Sequence, residues 1–234
     1  MIGPEVATLM SGLVVMTKGC FKEHAVKIDV ERVVGAVTRE VSSREHDGKL
    51  ARVVVATRVY NTNADDLWDA LTSAERLPRW FLPVSGDLRL GGRYQLEGNA
   101  GGTITRCEPP RSLAVTWEYA GVVSWVTVNL RSQSRERTEL ELEHMAHEDE
   151  HWAQFGPGAA GVGWDMALAG LEHHVAGGDP VDPQQAMEWT MSDEGRRFIV
   201  QSSDGWCRAF IAAGEPESIA KAAAERTTSF YTGV

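Results

Sequence analysis

The chain has 234 residues, 43% hydrophobic and 24% charged, with a formal net charge of −10. This is ordinary globular composition and excludes disordered, collagen-like and disulfide-scaffold classes. An acidic balance repels phosphate backbones and anionic lipid, so neither nucleic acid nor a membrane is expected as a partner.

Residues 1–28 read as a disordered leader, with Met10 and Met16 as alternative starts. The apolar run inside 5–16 is too short to span a bilayer. The first basic residue, Lys18, follows that run, whereas a signal peptide needs positive charge before it. Val30, Val33, Val34 and Val37 then recur at helical spacing. Val37, Arg39 and Val41 alternate, and His46-Asp47-Gly48 is a turn signal before the β-branched run 51–60. A short helix followed by a hairpin is expected. Asn63 is an N-cap for a helix with Leu67, Trp68 and Leu71 on one face and Asp65 and Asp66 in its first turn. Ser73 caps a second short helix, 74–77, limited by Pro78.

Strands are expected at 85–90, 93–97, 102–108, 112–119, 124–131 and 138–147, separated by glycine and proline turns. Leu113, Val115, Trp117 and Tyr119 share a face; so do Val126, Val128 and Leu130. In the last strand Leu140, Leu142 and His144 point one way and Glu139, Glu141 and Glu143 the other. That is a half-buried antiparallel sheet with one wet face. An acidic linker, 147–151, and a glycine-containing stretch follow. Trp164, Leu168, Leu171 and Val175 mark a helix over 163–175, stopped by Gly177-Gly178. The remainder reads as helical: Asp182 caps Pro183, Phe198, Ile199, Trp206, Phe210 and Ile211 form a stripe, and 216–230 is alanine-rich. The expected class is α+β, a curved antiparallel sheet wrapped around a long helix on its C-terminal side, with extra C-terminal helices.

The chain carries eight tryptophans. Trp68 and Trp117 suit a core or an aromatic pocket, whereas Trp80, Trp152 and Phe155 sit near loops and suit a pocket mouth. His144 faces inward, placed either to bond a ligand and exchange a proton near neutral pH or to be a core histidine satisfied by a backbone group or a Trp N–H. The run from His144 to His151 lacks the His-Glu-x-x-His order and the helix a zinc site needs, so no metal is expected. Cys20, Cys107 and Cys207 are odd in number, far apart and without C-x-x-C spacing, so no disulfide framework is expected and a reducing cytoplasm fits. Gly91-Gly92 and Asn99-Ala100-Gly101-Gly102 read as hairpin turns, not phosphate loops. Arg58, Arg79, Arg89 and Arg93 read as partners of acidic residues; one of them inside the fold would suit a carboxylate ligand. No Gly-x-Ser-x-Gly elbow is present.

Six features in order resemble the START-like, or SRPBCC, superfamily with its helix-grip fold. They are Asp66-Leu67-Trp68-Asp69-Ala70-Leu71-Thr72, then Glu75-Arg76-Leu77-Pro78-Arg79-Trp80-Phe81, Gly91-Gly92-Arg93-Tyr94, Leu113 to Trp117, the strand ending in His144, and the helix opening Gly163-Trp164. Within that superfamily the chain is similar to the bacterial branch related to the C-terminal domain of the activator of the Hsp90 ATPase. The resemblance covers about 50–176. It implies a helix-grip domain over 29–178 and leaves 179–234 as a helical extension outside the general family domain. It also implies a cavity between sheet and long helix, since superfamily members bind sterols, lipids, hormones and polyketides, and some are cyclases, co-chaperones or antibiotic-resistance proteins.

The expected function is therefore binding of a small hydrophobic or aromatic molecule, with antibiotic sequestration or self-resistance as a narrower form. The alternatives are a co-chaperone-like interaction module and a cyclase or aromatase-like enzyme. The expected ligand-binding residues are Trp68, Trp80, Phe81, Trp117, Trp125, His144, Trp152, Phe155, Trp164 and Leu168, with His144 as the only catalytic candidate. No cofactor is expected. A homodimer through the C-terminal helices is the expected self-association, and opening near 80–83 or 152–160 the expected route of entry.

Overall fold

A computed structural model describes residues 28–233. The expectations for the leader and for Cys20 therefore lie outside the described residues, apart from Ile28. Helix α1 (Val30–Gly35) starts at Asp29, whose carboxylate accepts from the Arg32 N–H. The hairpin β1 (Thr38–His46) and β2 (Lys49–Tyr60) follows, turning through Asp47 and Gly48, both at positive φ. Helix α2 (Ala64–Thr72) is capped by Asn63, whose side-chain oxygen accepts from Asp66 N at 2.9 Å. The helix expected at 74–77 is instead a turn at Ser73 and one 3-10 turn, Leu77–Arg79, because Pro78 cannot donate to a continuing ladder.

Six more strands complete the sheet: β3 (Val84–Gly86), β4 (Arg93–Leu96), β5 (Gly101–Glu108), β6 (Ser112–Tyr119), β7 (Val122–Ser134) and β8 (Arg137–His147). The expected strand 85–90 is cut short at Gly86. Residues 87–92 turn back on themselves, with Gly92 N–H donating to Arg89 O, and no side chain fits at Gly92 against the Asp87 carbonyl. All eight strands form one antiparallel curved sheet in the order β1-β2-β8-β7-β6-β5-β4-β3.

The acidic stretch after β8 holds a helix, not a linker: Asp149 caps α3 (Glu150–Phe155), accepting from Trp152 N at 2.8 Å. The long helix α4 (Gly158–Val175) begins five residues before the expected start. Helices α5 (Pro183–Met191), α6 (Asp193–Ala212) and α7 (Glu217–Thr232) end the chain, α5 capped by Asp182 as expected.

The core lies between α4 and the inner faces of β2, β8 and β7, where Val54, Ala56, Leu140, Leu142 and Val126 meet Val162, Leu168 and Leu171. Tyr60 is buried there, and its hydroxyl donates to Leu168 O at 3.0 Å. Two C-terminal residues, Ile199 and Trp206 of α6, belong to this same core and are fully covered. Gly161 permits that contact, since any Cβ at 161 would enter the Trp206 indole. Buried Asp165 on α4 accepts from Arg39 of β1 at 2.9 Å, from the Ser202 hydroxyl and from Trp206 Nε1 at 3.1 Å. Burial raises its pKa against the opposing pull of Arg39. No helix among the described residues is long and apolar enough to cross a membrane.

Candidate functional site

Pairing in register lays rows of side chains across the concave face. Val54, His144, Val126 and Val115 form one row, continued by Ile104; Ala56, Leu142, Val128 and Leu113 form the next. Because side chains alternate along a strand, Ser124 and Trp117, opposite each other, share this face. The rows are well covered near β2 and β8. Further across the sheet, Leu113, Val115, Trp117 and Val128 are only half-buried, as are Trp68, Phe81 and Trp164 above them. Exposure on this face rises toward the β6–β7 turn, from Val126 at 5% to Val122 at 58%.

Two indoles, Trp117 and Trp164, meet His144, and Phe81 and Trp80 extend the stack behind Trp164. The Trp164 ring stacks near Phe81, with centroids 6.4 Å apart, and meets Trp117 edge-on at 5.2 Å. Trp80 stacks behind Phe81 at 5.5 Å. Trp164 Nε1 donates to His144 Nδ1 at 3.0 Å, and His144 Nε2 lies 2.8 Å from Ser124 Oγ. An indole N–H only donates, so Nδ1 is the acceptor and the neutral ring carries its proton on Nε2. That proton points at Ser124 Oγ, whose own hydrogen goes to Trp117 O at 3.2 Å. Burial pushes the His144 pKa down to about 4, so the ring is neutral throughout the physiological range.

This arrangement limits the chemistry. In a serine nucleophile pair the imidazole accepts from the hydroxyl through one nitrogen while the other donates to a carboxylate. Here the polarity is reversed: His144 donates to Ser124 and accepts from Trp164. Among the described residues its hydrogen-bond partners are Trp164 and Ser124, and the outcome matches a core histidine satisfied by a Trp N–H. Among the described residues no three His, Cys, Asp or Glu side chains gather as a metal site requires.

Phe81, Trp117, His144 and Trp164 come together, with Trp68 half-buried at the edge of the same core. Trp80 is 9% exposed and gives its N–H to Ala70 O, and Leu168 is buried; both hold the core. Trp125 is a correction: it stands on the outer face, packed against His46 at 4.1 Å and His147 at 5.3 Å, because it alternates with the inward Ser124 and Val126. Trp152 and Phe155 are corrections too. Trp152 packs on Phe210 and under the Arg52 guanidinium, and Phe155 packs on Phe230, so both serve the joint with the C-terminal helices. Arg58 does lie inside the fold, but Glu172 neutralises it and Val33 O accepts from it, leaving no free cation for a carboxylate ligand. Ser124 escaped the sequence reading; its position two residues before inward Val126, across from His144, was the available signal.

Between sheet and helix, where an enclosed hollow is expected, the rings of Phe81 and Trp117 both contact Trp164. One crevice, too narrow for water, lies between α6 and α7 beside Phe155, Cys207 and Phe210. An open recess of about 470 Å³ lies over Asn61, Thr62, Asn63, Glu136 and Arg137.

Comparison with known proteins places this geometry. The family model described as activator of Hsp90 ATPase homolog 1-like protein matches residues 61–176. The crystal structure of CalU16 from Micromonospora echinospora is 33% identical, with 77% of this chain and 99% of that chain covered and a TM-score of 0.59. Its solution structure gives 32% identity, 76% and 97% coverage and a TM-score of 0.63. PFC0360w, an Hsp90 activator from Plasmodium falciparum, is 26% identical over 41% of this chain and 74% of that one, with a TM-score of 0.38. A search of curated proteins found no match. With a relative one-third identical along nearly its whole length and the helix-grip architecture in hand, the chain belongs to the activator of Hsp90 ATPase homolog 1-like family of the START-like superfamily.

Proposed function

We propose that this protein binds a small, flat, largely apolar molecule against the concave face of its sheet. The observation that carries the reading is the row of half-buried aromatic and aliphatic side chains there, Phe81, Leu113, Val115, Trp117, Val128 and Trp164, open toward the β6–β7 turn. A soluble fold leaves such a concave apolar surface part-covered at a cost; covering roughly 200 Å² of it with a ligand contributes about 5 kcal/mol. Entry requires the aromatic rings to part, since Phe81 and Trp117 both contact Trp164 over the groove. Sequestration of an antibiotic is the narrower form of this reading and rests on the family resemblance.

The two alternatives draw less support. A cyclase-like role needs a proton acceptor or donor in the groove, and His144 has both nitrogens engaged and the wrong tautomer for a base toward Ser124. A co-chaperone-like role through the C-terminal stripe needs that stripe exposed, and Phe198, Trp206 and Phe210 all face inward. Native mass spectrometry of freshly purified protein tests the proposal. A co-purifying small molecule whose removal changes tryptophan fluorescence supports it; no bound mass, together with no fluorescence response to a panel of aromatic and aliphatic compounds, overturns it.

A further inference from the structure

The indole of Trp164 has the contacts a bound aromatic ligand would be expected to make. One face meets Phe81, an edge meets Trp117, and its single polar atom is held by one acceptor, His144 Nδ1, at 3.0 Å. The acceptor character of Nδ1 is enforced from behind, because Nε2 is committed to Ser124 and the Ser124 hydrogen to Trp117 O. On α4, Val162, Asp165, Leu168 and Leu171 are buried, while Trp164 is only partly buried, as Gly163 and Met166 beside it are.

We propose that Trp164 is a built-in occupant of the ligand seat, displaced by planar aromatic molecules that carry one N–H or O–H donor and take over its hydrogen bond to His144. The inference rests on the groove-binding reading and adds to it a gate and a selection rule. A donor satisfies Nδ1. An ether, carbonyl or carboxylate of the same shape leaves that acceptor facing another acceptor in a half-dry site, which costs affinity. Arg58, the buried arginine, is tied to Glu172 and is not available to hold an acid.

The test uses Trp164→Ala with indole and benzofuran, two molecules of nearly one shape of which only indole donates. Isothermal titration calorimetry is expected to show indole binding Trp164→Ala about tenfold or more tighter than wild type, and about tenfold or more tighter than benzofuran binds the same variant. A folded variant that takes neither, or takes both equally, overturns the proposal. Should the variant not fold, the wild-type chain answers by NMR. Added indole is expected to move the Trp164 indole N–H resonance out of its hydrogen-bonded position and benzofuran to leave it in place; binding of indole elsewhere, with that resonance unmoved, overturns the proposal. The two readings fail separately. A co-purified molecule found on wild type while Trp164→Ala ignores indole sinks the stand-in and leaves groove binding intact. No ligand on wild type, and no response to any aromatic, sinks both.

Discussion

Acid should destabilise this protein through His144 in a way one substitution removes. The folded ring has its pKa near 4 against an ordinary 6.5, so between those values the unfolded chain holds a proton that the folded chain refuses. Stability follows the difference in bound protons, unfolded minus folded, which is positive here; it is therefore retained above about pH 6.5 and lost as pH falls toward 4. With those two values the loss from pH 7 to pH 5 is about 2 kcal/mol, growing to about 3 kcal/mol by pH 4. Partly buried His151 and buried His174 are shifted in the same direction, so the wild-type slope alone does not isolate the effect. His144→Gln does. The amide offers an acceptor for Trp164 and a donor for Ser124 but never protonates. Urea unfolding of both proteins at pH 7, 6 and 5 should show the variant losing about 2 kcal/mol less than wild type over that range. Parallel pH dependences would mean that the ring titrates normally, and the Trp164–His144–Ser124 chain would not exist as described.

Two further substitutions probe the frame behind the site. Asp165→Ala strands the Arg39 guanidinium, whose side chain is 7% exposed, and leaves Ser202 and Trp206 without their acceptor; a loss of about 3–5 kcal/mol in urea unfolding is expected, and a loss under about 1 kcal/mol would contradict the lock. Gly161→Ala drives a methyl into Trp206 and should cost about 1–3 kcal/mol, whereas Gly35→Ala, where an added Cβ meets nothing within 4 Å, should stay within about 0.5 kcal/mol; equal thermal shifts would refute the packing argument.

What the sequence made legible, and what it hid, divides by range. Leu140, Leu142 and His144 were readable as inward residues because period-two alternation is a local property of a strand. The same rule places Trp125 outside, opposite in parity to Val126 and Val128, and counting tryptophans overrode it. Asp165 reads locally as a solvent-facing charge on a helix; its role comes from Arg39, 126 residues earlier, and from Ser202 and Trp206, 37 and 41 residues later. The glycines of 156–161 fall where the sequence reading expects the fold to open for entry. Two of them answer instead to close approach, Gly158 against Thr227 and Gly161 against Trp206, and no local pattern distinguishes an absent side chain that frees the backbone from one that admits a neighbour.

That distinction bears on how the groove would open under the proposed binding mode. Lifting α4 off the sheet would break the Asp165 cluster along its back and the Tyr60–Leu168 bond on its front. It would also strain the α3–α4 joint, where Arg226, Thr227 and Tyr231 of α7 donate to the carbonyls of Gln154, Phe155 and Ala159. Stranding a buried carboxylate and guanidinium costs about 3–5 kcal/mol before the other bonds are counted. Turning one half-exposed indole away gives up one neutral hydrogen bond, about 1 kcal/mol, and two ring contacts of about 0.5–1.5 kcal/mol each, part of which an incoming ring replaces. The side-chain route is the cheaper one, so under the proposed binding mode the part expected to move is Trp164 with its neighbour Phe81, and not α4.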